Sequence, residues 1–124
     1  MDPRHKHRLI IVQALFSSAF AGGKKPITSK DASAIVKEIL LKHEEIDTFI
    51  QKYAPKFPLD QLSKVDLSIL RLAIYELKLS KTQPEKVIID EAIELAKELG
   101  NERSYAFINA VLGAIVNEKV QTII

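Results

Sequence analysis

A chain of 124 residues with 47% hydrophobic and 27% charged residues has the composition of one folded globular domain and not of a disordered chain. It contains no cysteine, which excludes disulfides, thiolate chemistry and cysteine-based zinc motifs. No apolar run reaches the ~20 residues of a membrane span, and no signal peptide is apparent. These features predict a cytoplasmic protein with a single domain over residues 1–124.

The small net charge of +2 conceals an uneven distribution. Residues 1–30 carry six cations against Asp2 alone, whereas residues 84–102 carry six acids against two lysines. Arg4, His5, Lys6 and Arg8 open the chain, and cations at a helix start oppose the helix dipole. This basic arm predicts contact with a polyanion, and a solvated terminus is the alternative.

Apolar spacing predicts three helices in the first half of the chain. The first runs from Pro3 to about Ala21 and is broadly apolar after its basic start. A glycine-rich loop follows, and a cap formed by Thr28-x-x-Asp31 predicts the start of the second helix. The third helix is short and ends before Pro55.

Three more helices are predicted in the second half. Ser63 caps the fourth helix, and a capping box formed by Thr82 and Glu85 predicts the start of the fifth. Gly100 is expected to end the fifth helix in a left-handed conformation. The sixth helix follows, and no alternating strand pattern appears, so the fold is predicted to be all-α with about six main helices.

Three polar residues fall on or near apolar helix faces, namely Glu76, Glu91 and Asn109. Because buried carboxylates are costly unless they are paired, these residues predict an internal polar network, with a recessed binding site as the alternative. His5 and His7 are not expected to reach that region. The chain has no nucleophile elbow, dinucleotide fingerprint or zinc-protease motif, so neither catalysis, a metal nor a cofactor is expected.

Three motifs resemble the NusB family of transcription antitermination factors. They are V-D-L-S-I-L-R-L-A-I-Y-E-L at residues 65–77, K-V-I-I-D-E-A-I-E-L-A-K-E-L-G at 86–100 and S-Y-A-F-I-N-A-V-L at 104–112. The basic arm before V-Q-A-L-F at residues 12–16 also matches the family. The likeness spans nearly the whole chain, with the motifs in the family's order.

The resemblance implies an all-α, NusB-like bundle of two three-helix subdomains. It also implies that the protein binds single-stranded boxA RNA of ribosomal RNA transcripts together with ribosomal protein NusE, within the RNA polymerase antitermination complex. The RNA-binding residues it implies are Arg4, His5, Lys6, Arg8, Arg103, Ser104, Phe107 and Asn109. The residues implied to bind NusE are Phe16, Asp60 and Asp66, although Asp66 also fits a purely structural capping role.

The sequence departs from the family pattern at functional positions. Phe16 replaces a usual Tyr, Ala106 replaces a Lys, and Arg103 stands where an acid is common. Two alternatives therefore stay open: a NusB-like protein-interaction module without strong RNA binding, and the detached NusB-like domain of a ribosomal RNA methyltransferase. Some family members form dimers that hide the RNA surface, so a homodimer is a further alternative.

Overall fold

The computed structural model describes residues 2–20 and 29–121, with side chains as far as residue 117. All the regular structure in these residues is helical. No strand occurs in these residues, which confirms the all-α prediction. The main helices are α1 (Pro3–Ser18), α2 (Lys30–Leu41), α3 (His43–Tyr53), α4 (Lys64–Ile74), α5 (Glu85–Leu99) and α6 (Ser104–Gln121).

Serine caps define the starts of α2 and α4. The Ser63 hydroxyl accepts a hydrogen bond from the Asp66 backbone N–H at 3.0 Å, as predicted. At α2 the capping hydroxyl belongs to Ser29, which accepts from the Ala32 N–H at 3.1 Å. The predicted cap residue Thr28 lies outside the described residues. Each such cap satisfies a helix-end N–H and stabilises the helix by roughly 1 kcal/mol.

The predicted capping box at α5 is wrong. The N-cap of α5 is Pro84, whose extended backbone (φ −59°, ψ 145°) leads into Glu85. Thr82 therefore lies two residues before the cap. Proline fits here because a helix start leaves its N–H groups without helical partners in any case.

Helix α4 ends at Ile74 and does not continue as a regular α-helix. A π-helical segment, Tyr75–Ser80, follows it directly. Lys81 closes the segment in a left-handed conformation (φ 51°), and its N–H donates to the Glu76 carbonyl at 2.9 Å. The wider π turn changes the direction in which Tyr75 and Glu76 project, and such turns are common at functional sites.

Helix α4 lies at the centre of the bundle and packs against α1, α3, α5 and α6. Its residues Ile69, Leu70 and Ile74 are almost completely buried. Burial of each such side chain contributes about 1.5–3 kcal/mol. Helix α4 therefore joins the first subdomain (α1–α3) to α5 and α6, which belong with α4 to the second subdomain (α4–α6).

Candidate nucleic-acid interface

The buried His5 links the first turn of α1 to α5. Its Nδ1 lies 2.6 Å from Glu91 Oε2, and its Nε2 lies 2.7 Å from Glu98 Oε1. Only 9% of the residue is exposed. The expectation that His5 would not reach the polar network is wrong, because Glu91 and Glu98 of α5 contact its ring.

The two carboxylates fix the protonation state that His5 needs. Carboxylates accept hydrogen bonds only, so both contacts form together only when both ring nitrogens carry protons. The hydrogen bond to Glu91 raises the pKa of His5 above its usual value; burial opposes this rise, and Glu98 adds to it. The bridge therefore holds an imidazolium between two acids.

Arg8 forms a second buried ion pair, with Glu76 at the start of the π turn. The Arg8 Nε lies 3.1 Å from each carboxylate oxygen of Glu76, and Nη2 lies 3.0 Å from Oε1. Both side chains are largely buried. Glu76 and Glu91 thus belong to an internal polar network, as predicted, whereas Asn109 is exposed on α6.

These ion pairs reduce the number of cations that the basic arm exposes to solvent. His5 and Arg8 were expected to attract phosphate, but their charges are directed at glutamate carboxylates of α5 and of the π turn. Arg4 and Lys6 are exposed. Arg4 lines a cleft of about 670 Å³ between α1, α2 and the π turn. Lys6, two residues on, projects from a different side of the helix.

The turn between α5 and α6 is shaped by close packing and not by a left-handed glycine. Gly100 has φ −91° and ψ −170°, which is extended, so the predicted conformation is wrong. A Cβ at this position would overlap the Ser104 side chain and the Ala96 carbonyl oxygen. Glycine is required here because the first turn of α6 lies directly against it.

Ser104, which was expected to bind RNA, is buried as a cap of this turn. Its hydroxyl accepts a hydrogen bond from the Asn101 N–H at 3.0 Å. The Asn101 side chain in turn accepts from the Arg103 N–H at 2.9 Å. Ser104 is 1% exposed, so its contribution is to the shape of the turn.

Polar and aromatic side chains are exposed along the start of α6. Arg103 and Asn109 are exposed, and Phe107 is half-buried. Tyr105 is also exposed, with the Lys97 ammonium 5.6 Å from its ring centre. Cations and aromatic rings at one turn are the combination that single-stranded nucleic acid requires.

Sequence reasoning missed Phe57, which lies in the connection between α3 and α4. Its ring packs edge-to-face on Phe107, with 5.2 Å between ring centres and 70° between ring planes. The signal available in the sequence was an aromatic residue between two prolines, Pro55 and Pro58. In the sequence analysis Pro55 was interpreted only as the end of the third helix.

The residues expected to bind NusE lie at the other end of α1. Phe16 packs edge-to-face on Phe20, with ring centres 4.9 Å apart, and the Lys64 ammonium lies 5.3 Å from the Phe20 ring centre. The end of α1 therefore meets the start of α4. Asp60 is exposed on the short 3₁₀ turn Leu59–Gln61.

Asp66 is buried at the start of α4, with 8% of the residue exposed. Its Oδ1 is buried and has no hydrogen-bond partner among the described residues. A buried acceptor without a donor costs about 1–3 kcal/mol. A donor from another molecule would remove that cost.

The part of the chain that the structure describes contains no group of three or more His, Asp or Glu side chains placed to hold a metal ion. None of the described helices is long and apolar enough to cross a membrane.

Comparison with known proteins identifies the family. The NusB family model matches residues 5–117. The transcription antitermination protein NusB of Acetivibrio thermocellus is 46% identical across 71% of this chain and 61% of its own length. A solved structure of T. maritima NusB has a TM-score of 0.83 and 37% identity, and covers 94% of this chain and 92% of its own. A structure of NusB and NusE in complex with double-stranded RNA has a TM-score of 0.78 and 26% sequence identity. The match covers 93% of this chain and 96% of the chain in that structure. This chain belongs to the NusB family.

Proposed function

We propose that this protein is a transcription antitermination factor that binds single-stranded boxA RNA of ribosomal RNA transcripts together with NusE. Its relatives are named transcription antitermination proteins, and a similar fold occurs in a complex with NusE and RNA. It acts in the cytoplasm as part of the RNA polymerase antitermination complex. The proposal includes no catalytic step.

The observation that carries the proposal is the contact between His5 and Glu98. Glu98 lies in the last turn of α5, so this 2.7 Å contact holds the start of α1 beside the turn that leads to α6. The exposed Lys6 and Arg103 therefore belong to neighbouring segments. Residues that are nearly 100 positions apart in the chain contribute to one RNA-binding surface.

Each part of this surface has a defined chemical role. Lys6 and Arg103 attract phosphates on this surface and Arg4 does so from another side of α1, which makes binding sensitive to salt. Phe107 stacks on an unpaired base, and the Asn109 amide hydrogen-bonds to a base edge. His5, Arg8 and Ser104 support the surface from within.

The NusE-binding surface is formed by Phe16, Phe20, Asp60 and Asp66. It combines partly exposed aromatic rings with carboxylates, one of which has an unsatisfied buried oxygen. A basic or amide donor from NusE would satisfy Asp66 Oδ1. Phe16 contributes apolar contact without the hydroxyl that a tyrosine would add.

Fluorescence anisotropy of a labelled boxA-like single strand tests the proposal. The wild-type protein is expected to bind the strand, to bind more tightly with NusE present, and to lose affinity as salt rises. Absence of binding at low salt, with and without NusE, would contradict it.

The second candidate function is a protein-interaction module without strong RNA binding. This alternative is favoured because His5 and Arg8 are paired with glutamates, so fewer cations are available to bind phosphate. Under this alternative NusE binds and the RNA does not.

Arg103 provides a sharper test within the same assay. Arg103 immediately precedes α6 and Ala106 lies in its first turn, and both residues are exposed near the start of the helix. We propose that Arg103 replaces the charge that Ala106 lacks relative to the family. Arg103→Glu is then expected to weaken RNA binding and to flatten its salt dependence, and unchanged affinity would refute this role.

A further inference from the structure

Phe57 is an exposed aromatic residue that the proposed RNA-binding surface does not include. It is 52% exposed although its ring contacts Phe107. We propose that Phe57 and Phe107 form one aromatic platform, in which an unpaired base of single-stranded RNA stacks on one ring and contacts the edge of the other. This inference rests on the proposed function and adds a binding residue from a different segment of the chain.

The backbone holds Phe57 in place. The Phe57 N–H donates to the Ala54 carbonyl at 3.1 Å, which closes a turn. Pro55 and Pro58 restrict the chain on either side, and Pro58 leads into the 3₁₀ turn at Leu59. A ring that is already fixed loses little conformational entropy when a base stacks on it.

The charges around the platform favour RNA over an apolar protein partner. The Phe107 N–H donates to the Arg103 carbonyl at 3.1 Å, so Arg103 lies one helical turn before Phe107. Lys56 adjoins Phe57 and is exposed. Cations beside exposed aromatic rings bind phosphate and base at the same time, whereas a dry protein interface excludes charge from its centre.

The platform recognises an unpaired base without selecting its identity. Every base has a π face, and the rings offer no hydrogen-bonding group. In a duplex the base faces are already stacked, so the platform favours a single strand. Arg103 then contacts the phosphate of the stacked nucleotide or of its neighbour.

A paired set of protein and RNA changes tests the platform. Affinity is measured by anisotropy for the intact boxA-like strand and for strands with an abasic site moved along it. Phe57→Leu keeps an apolar side chain and is expected to weaken binding of the intact strand about 5- to 10-fold. Phe57→Trp keeps the π face and is expected to retain wild-type affinity.

The abasic strands then identify the stacked position. One abasic strand is expected to lose affinity for the wild-type protein but to show no further loss with Phe57→Leu. The salt dependence is unchanged, because Phe57 carries no charge. Leu41→Ala, a change at an exposed apolar residue at the end of α2, is the control and is expected to bind as wild type.

Wild-type affinity for Phe57→Leu overturns the platform, and so does an equal loss with Leu41→Ala. The platform is also overturned if the loss of affinity from Phe57→Leu and the loss from the abasic site add for every abasic strand. Thermal unfolding of each variant confirms that the fold is intact, and Phe57→Trp tests the platform independently of that control. If the wild-type protein does not bind the intact strand, the proposed function fails together with the platform; if it binds but is indifferent to Phe57, only the platform fails.

Discussion

The start of α1 and the start of α6 carry similar cations but use them differently. At α1, His5 and Arg8 are buried and paired with glutamates of other helices. At the start of α6, Arg103 is exposed one helical turn before Phe107. A count of positive charges in a segment therefore does not show how many of them are available to RNA, because distant acids can neutralise them.

Breaking the Arg8–Glu76 pair should give the largest effect. Arg8→Met leaves the Glu76 carboxylate largely buried without its partner, so the free energy of unfolding should fall by about 3–5 kcal/mol. Urea unfolding followed by circular dichroism measures this. The double variant Arg8→Met/Glu76→Leu should recover most of the loss. If Arg8→Met is as stable as wild type, the pair does not hold α1 to the π turn.

The turn that presents the α6 surface should be the next most sensitive feature. Gly100→Ala introduces a Cβ that overlaps Ser104 and the Ala96 carbonyl, so it should cost about 1–3 kcal/mol. Gly113 is the matched control, since a Cβ there meets no atom within 4 Å. Gly113→Ala should stabilise the protein by about 0.5–1 kcal/mol. Equal effects of the two substitutions would contradict the close packing of this turn.

The His5 bridge should make stability depend on pH. The folded-state pKa of His5 is raised above its unfolded value of 6.5, so the bridge contributes fully below pH 6.5. Its contribution is lost as pH rises through the folded pKa. The stability difference between wild type and His5→Gln should therefore shrink as pH increases above 6.5.

His7→Gln provides the control for this pH dependence, because His7 lies on the same turn of α1 and is half-exposed. Chemical denaturation at a series of pH values measures both variants. A stability difference for His5→Gln that stays constant across this range would show that the imidazolium bridge does not form.

Removal of the exposed cations should have the smallest effect on stability. It should also have the most direct effect on RNA binding. Lys6→Ala and Arg103→Ala should each leave stability nearly unchanged. Each should weaken RNA binding and reduce the slope of log affinity against log salt by about 1. Anisotropy titrations at several salt concentrations test this prediction. An unchanged slope for both variants would show that Lys6 and Arg103 do not contact phosphate.

The sequence predicted the helices well because each buries a stripe at helical spacing, as Ile69 and Leu72 show on α4. It also predicted that Glu76 and Glu91 join a polar network, because they fall on apolar faces. It did not give their partners. Those are set by packing between helices, which brings Arg8 to Glu76 and His5 to Glu91 across most of the chain.

Local geometry explains the other differences. The conformation of Gly100 depends on how closely α6 approaches, and the π turn after Ile74 depends on the packing of α4, so apolar spacing predicted neither. Phe57 was missed for a similar reason. Its contact with Phe107 exists only when the α3–α4 connection folds against α6.

The central claim is that exposed cations bind RNA while the buried pairs only support them. The most direct test compares the salt dependence of boxA-like RNA binding in two double variants. Lys6→Ala/Arg103→Ala removes exposed charge and should lose affinity and salt slope. Arg8→Met/Glu76→Leu replaces the buried pair with apolar side chains and should bind with the wild-type slope. If the buried-pair variant loses salt slope and the exposed-charge variant keeps it, the assignment of roles is contradicted.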